Sequence, residues 1–155
     1  MDVGCYPVHL LRSVVGSEPT VTGATAVEGE PKVDGDMRIE LQFEGGVTGV
    51  VRTSMQSPES YVYARFVGED GELEVLNPFI PMNGNLLTVR SGGDTRTEEL
   101  TTEASYNFQL RAVADVILRG AAVVTDVDDA IKNMAVIDAA YVAAGLPMRE
   151  PSSAR

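Results

Sequence analysis

The first nine residues, MDVGCYPVH, hold a carboxylate at Asp2, a phenol at Tyr6 and the chain's single histidine at His9. Asp2 and Tyr6 are four residues apart, a spacing that brings a carboxylate within reach of a phenol at the start of a helix. A phenol passes its proton readily once nearby positive charge lowers its pKa from about 10. His9 can bind a substrate oxygen, or sit half-exposed on the polar side of the same helix. An exposed terminal Asp and a Tyr packing at a helix end satisfy the same spacing. The residues alone leave chemistry and packing both open.

Other chemical groups narrow the options. One Cys and one His are too few for a zinc site of the usual nitrogen and sulfur type. Asp126, Asp128 and Asp129 could hold a hard cation, but they stand where a helix begins, and carboxylates there satisfy its dipole, so no metal is expected. The glycines of VGEDGEL lie between two alternating segments and open no helix, so they make no phosphate cradle. Tyr61 and Tyr63 share a strand face, where core or interface is their ordinary use.

The elements that must position these groups follow from periodicity. Pro7 lacks an amide proton and belongs in a first helical turn; Val8, Leu11 and Val15 share a face, with Leu10 and Val14 beside it, and Gly16 is a natural stop. The spacing predicts a helix over about residues 5–15. From Thr20 to Leu100 the period becomes two. In DMRIELQFE, Met37, Ile39, Leu41 and Phe43 alternate with Arg38, Glu40 and Gln42, the pattern of a half-buried antiparallel strand. Turns at Glu44-Gly45-Gly46, Glu69-Asp70-Gly71 and SGGD separate further alternating runs, giving six or seven strands. Tyr106, Leu110, Val113 and Ile117 then mark a helix closed by Arg119-Gly120. Thr125 with Asp128 resembles a capping box for a last helix, with Ala130, Met134, Ile137, Tyr141 and Ala144 as its buried stripe and Gly145 at its end.

The expected architecture is α+β: one domain over residues 1–155, a mostly antiparallel open sheet with helices packed on one face. The strand in VTGVVRTSMQS is mixed and rather apolar on its second side as well. A sheet apolar on both sides needs a second cover, and with no further helix to supply it a homodimer through the open sheet face is expected. A net charge of −11 disfavours nucleic acid and anionic membrane surfaces as partners. No apolar run approaches the ~20 residues that span a bilayer, no leader pattern precedes the fold, and a lone Cys5 suits a reducing cytoplasm.

Four stretches in order carry a resemblance: Asp2-x-Gly4-x-Tyr6 followed by a helix ending in Gly16, then VGEDGELEVLNPFIP, YNFQLRAVADVILRG and DVDDAIKNMAVIDAAYVAAG. Together they resemble the C-terminal domain of the glucose–fructose oxidoreductase, inositol dehydrogenase and rhizopine-catabolism (Gfo/Idh/MocA) family, over nearly the whole chain. The resemblance implies an open antiparallel sheet like that of the glyceraldehyde-3-phosphate dehydrogenase C-terminal domain. It also implies a preceding Rossmann domain that binds NAD or NADP. This sequence has no G-x-G-x-x-G opening a helix after a strand and no Glu-Lys-Pro segment; GEPKV holds Glu30, Pro31 and Lys32 in another order. The chain is therefore expected to be the C-terminal substrate-binding and dimerisation domain of a longer enzyme, with no cofactor-binding residues of its own and no activity alone. On the family's pattern Asp2 and Tyr6 fall at the catalytic acid/base positions and His9 at a substrate-binding position. The implied reaction moves a hydride between NAD(P) and a sugar, polyol or dihydrodiol, Tyr6 exchanging the hydroxyl proton and Asp2 orienting substrate or phenol. The alternative is a substrate-binding or oligomerisation module without chemistry of its own.

Overall fold

The computed structural model describes residues 3–30 and 33–148. In chain order its elements are α1 (Cys5–Val15), β1 (Thr20–Glu30), β2 (Val33–Gln42), β3 (Thr48–Ser54), β4 (Tyr63–Gly68) and β5 (Gly71–Leu76). Then come β6 (Leu86–Ser91), β7 (Asp94–Glu98), α2 (Ser105–Arg119) and α3 (Val127–Ala143). They divide into two units, Met1–Pro58 with Val124–Arg155, and Glu59–Val123. The fold class is α+β, with every described ladder antiparallel.

The first unit is organised by the alternation in β2. Met37, Ile39, Leu41 and, just past the strand, Phe43 are all buried, while Arg38, Glu40 and Gln42 take the other face. β2 lies between β1 and β3, with Ile39 opposite Ala24 and Val51, and Leu41 opposite Val21 and Gly49. α1 and α3 cover that apolar face, adding Val8 from one helix and Val136, Ile137, Ala140 and Tyr141 from the other. Gly49 permits the close approach of α1: a Cβ there would stand 3.1 Å from Leu11 Cδ1 and 3.3 Å from the Phe43 ring. At the far end Tyr141 donates its hydroxyl to Asp34, both buried, tying the last turns of α3 to the start of β2. The uncovered face of this sheet is more polar than the sequence of β3 implied. Arg38 pairs with Glu40 there, and Thr48, Val50 and Arg52 are exposed.

The second unit is a four-stranded meander, β4-β5-β6-β7, with two-residue turns at Glu69-Asp70 and Gly92-Gly93. The sequence reading expects six or seven strands in one sheet; seven are described, in sheets of three and four. Residues 55–62 after β3 include Pro58, which has no N–H for a ladder, and no ladder joins β3 to β4 among the described residues. α2 closes at Gly120 as the pattern predicts, yet Tyr106, Leu110, Val113 and Ile117 are all exposed. Amphipathic spacing specifies a helix and its apolar stripe; it does not supply what covers the stripe.

α3 departs from the reading in two ways. Its cap is Asp126, whose carboxylate accepts from the Asp129 N–H at 2.9 Å, and not Thr125. Its buried positions are Asn133, Val136, Ile137, Ala140 and Tyr141, so Ile137 and Tyr141 keep their expected places while Ala130 and Met134 are exposed. The stripe is turned because Asn133, polar in sequence, is drawn inside by hydrogen bonds. No helix among the described residues is long and apolar enough to cross a membrane.

Candidate functional site

α1 has two faces with different work. Val8, Leu11 and Val15 pack towards the core, and on the opposite stripe lie Tyr6, His9, Leu10 and Ser13. Gly16 ends the helix in a left-handed turn at φ 75°, its N–H donating to the Arg12 carbonyl at 2.9 Å. Tyr6 stands in the first turn and is 55% exposed. Asp2, its expected partner, lies outside the described residues.

Behind the exposed stripe lies a charged anchor that the sequence reading did not contain. Arg12 is only 6% exposed, in line with Val8 and Val15 on the packed side. Its guanidinium donates twice to Glu18, at 2.6 and 2.9 Å, and once to Asp129 Oδ1 at 2.9 Å, with Asn133 Oδ1 at 3.3 Å. Hydrogen bonding to Glu18 raises the Arg12 pKa above its ordinary value against the opposing cost of burial, and the same bond holds the Glu18 carboxyl below the usual range. Asn133 completes the anchor by donating Nδ2 to the Cys5 carbonyl at 3.1 Å. One turn of α3, from Asp129 to Asn133, thus grips α1 at its start and at its middle. That grip sets the rotation of α1 about its own axis, and with it the direction in which Tyr6 faces. The available signal was an arginine placed four residues after Val8 inside an apolar stripe, which demands acidic partners from elsewhere in the chain.

His9 is held from both sides. Its Nδ1 lies 3.2 Å from Asp129 Oδ2, its Nε2 3.3 Å from Ser13 Oγ, and its side chain is 30% exposed. The structure therefore brings Tyr6 and His9 onto one stripe of one helix. Within the acidic cluster Asp126 caps α3, and Asp129 serves Arg12 and His9.

The second unit carries a separate polar cluster on one sheet face. Tyr63 donates to Glu74 at 2.7 Å, Arg65 pairs with Glu72, and Arg90 bridges Glu72 and Glu74 at 2.7 and 2.8 Å. Hydrogen bonds from Arg65 and then Arg90 hold Glu72 below the ordinary carboxylate range; those from Tyr63 and then Arg90 do the same for Glu74. Tyr61 stacks on Tyr63 with ring centroids 5.7 Å apart. Acids on the central strand flanked by arginines on both neighbours satisfy each other across the ladder.

A nicotinamide dinucleotide asks for a parallel βαβ unit whose glycine-rich turn opens a helix beneath the pyrophosphate. Every described ladder is antiparallel, and no described helix follows a strand through such a turn. The described residues do not fit the cofactor.

The described residues thus form an antiparallel α+β fold that holds a phenol and an imidazole on the outer stripe of one anchored helix. Residues 1–74 match the family model for the GFO/IDH/MocA C-terminal domain. The chain is also 32% identical over 147 residues to a D-xylose 1-dehydrogenase (NADP(+)) of Haloferax volcanii, covering 93% of this chain and 45% of that protein. The family model assigns residues 1–74 to the GFO/IDH/MocA C-terminal domain family, and the relative extends the likeness over 93% of the chain. Among solved structures, an aldose–aldose oxidoreductase from Caulobacter crescentus, complexed with glycerol, superposes with a TM-score of 0.81 at 23% identity, over 92% of this chain and 44% of that one. A 3-ketoreductase from Actinomadura kijaniata, in complex with TDP-benzene and NADP, gives 0.78 at 19% identity over 92% and 46%. At these identities the likeness is one of fold. This chain spans under half the length of each of these relatives.

Proposed function

We propose that this chain is the C-terminal, substrate-facing and dimerising domain of a nicotinamide-dependent oxidoreductase that acts on a sugar, polyol or dihydrodiol. The observation that carries the reading is Tyr6: more than half exposed, in the first turn of a helix whose rotation is set by buried charged contacts, and beside His9. In this reading the Tyr6 hydroxyl takes and returns the proton of the reacting substrate hydroxyl, Asp2 orients the substrate or the phenol, and His9 contacts a neighbouring substrate oxygen. A phenol carried on an anchored helix needs little backbone reorganisation when a substrate arrives. NAD or NADP is held in the parent enzyme by residues outside this chain; the NADP(+) in the name of the Haloferax volcanii relative supports NADP. A single cysteine, Cys5, fits a cytoplasmic setting.

The isolated chain is then a binding and assembly module, inactive by itself. Calorimetric titration of the 155-residue chain with NADPH and with NADH is expected to show no binding of either. A micromolar affinity for one of them would mean that these residues hold the cofactor after all.

Assembly is the second expectation. One face of the second sheet leaves Tyr63, Val67, Leu76 and Leu86 exposed around the Glu72 and Glu74 cluster, a mixed surface that suits a self-complementary contact. A specific homodimer through an open sheet face should bury at least ~1,000 Å². Sedimentation at low micromolar concentration is expected to show a dimer; a monomer alone would refute it.

A further inference from the structure

Asp129 decides what His9 can offer a ligand. Its Oδ1 accepts from Arg12 at 2.9 Å, and its Oδ2 lies 3.2 Å from His9 Nδ1. An ionised carboxylate only accepts, so the proton between them belongs to Nδ1. In the neutral ring this leaves Nε2 bare, and the Ser13 hydroxyl, 3.3 Å away, donates to it. Glu18 grips the far side of Arg12 at 2.6 and 2.9 Å, so the guanidinium holds Asp129 in place. The charged groups around the ring are thus Asp129 against it, with Arg12 and Glu18 behind.

The order Ser13, His9, Asp129 is that of a nucleophile, a base and an orienting carboxylate. Ser13 nevertheless lies inside α1, where backbone N–H groups are committed to helical carbonyls, so this helix forms no oxyanion hole beside it. Orientation, not acyl transfer, is what the arrangement can do.

We propose that Asp129 is a positioning residue that fixes His9 as a hydrogen-bond acceptor on the Tyr6 stripe, so that this stripe takes the hydroxyl of an uncharged sugar or polyol and rejects a phosphorylated or carboxylated one. The ligand half of the proposal rests on the reading of the Tyr6 stripe as the substrate face. A hydroxyl donates to the bare Nε2 in place of Ser13 and accepts nothing from it. A phosphate oxygen has no proton to give, meets a second acceptor, and approaches Asp129 in a chain of net charge −11.

The chain has one histidine, so its imidazole nitrogen signals are unambiguous. Long-range proton–nitrogen correlation on the ¹⁵N-labelled 155-residue chain at about pH 8 is expected to show Nδ1 protonated and Nε2 bare. In Asp129→Ala the ring should revert towards the Nε2–H form that free histidine prefers, and in Ser13→Ala it should keep the proton on Nδ1. A wild-type ring protonated on Nε2, or one unmoved by Asp129→Ala, would overturn the assignment. Should Asp129→Ala fail to fold, the wild-type and Ser13→Ala spectra decide by themselves. In the full-length enzyme Asp129→Asn, whose amide oxygen still accepts from Arg12 while its amide nitrogen no longer accepts from His9 Nδ1, is expected to raise KM for a neutral sugar about tenfold, the loss of one oriented hydrogen bond, while lowering kcat less than about threefold. A phosphorylated sugar turned over as well as its neutral parent would overturn the hydroxyl preference. The expected tautomer combined with normal turnover by full-length Tyr6→Phe would instead overturn the reading of the substrate face and the ligand half of the proposal with it.

Discussion

Tyr6→Phe in the full-length enzyme is expected to lower kcat by about 10²–10⁴, the loss typical of a positioned general acid/base. The substitution removes one oxygen and keeps the ring, and the position is 55% exposed, so folding should be almost unaffected. Cofactor affinity should persist, because the described residues offer no dinucleotide cradle. The nicotinamide dissociation constant should stay within about threefold, a difference of only ~0.7 kcal/mol. Steady-state kinetics of wild type and variant on aldoses, inositols and dihydrodiols make the measurement, with thermal melts as the folding control. Near-normal turnover would return Tyr6 to a packing role beside a site run by other groups.

Ile39→Ala is expected to cost about 2–5 kcal/mol, the largest stability effect of any single side chain considered. Ile39 is 0% exposed at the centre of β2, opposite Ala24 and Val51 and beneath the layer formed by α1 and α3. Truncation removes the transfer free energy of three methyl and methylene groups and leaves a cavity that flanking strands cannot fill. For a chain of this size a loss of ~3 kcal/mol lowers Tm by roughly 6–12 °C. Val50→Ala, on the exposed face of β3, supplies the contrast and should change stability by less than ~0.5 kcal/mol. Thermal and urea melts of both variants are the test. An Ile39→Ala penalty below ~1 kcal/mol would mean that the core lies elsewhere. The helix that carries Tyr6 is seated on this core through Val8, Leu11 and Val15.

Much of the first unit was legible because its signals are local. Pro7, the Val8, Leu11 and Val15 spacing and Gly16 bound α1 within a single helix, and α1 spans Cys5–Val15 as they predict. The alternation of DMRIELQFE needs no partner to declare its buried side, and Met37, Ile39, Leu41 and Phe43 are inside. The motif beginning at Asp2 pointed to the same helix for chemistry, and Tyr6 and His9 do share its outer stripe.

What periodicity left undecided were the questions whose answers lie far along the chain. It marked the apolar stripe of α2 but not its exposure, and it counted six or seven strands but not their division into sheets of three and four. It turned α3 with Ala130 and Met134 inward because Asn133 is polar, whereas the tertiary structure buries Asn133 against the Cys5 carbonyl and Arg12. The sequence by itself determined the elements, their faces and the helix that carries the candidate chemistry, because side-chain size, polarity and backbone restriction act over a few residues. Only the tertiary structure decided how that helix is rotated and what His9 presents to a ligand. Those depend on Asp129 and Asn133, which meet Arg12 across 117 and 121 residues of sequence, and a buried charge takes whichever partners folding brings within reach.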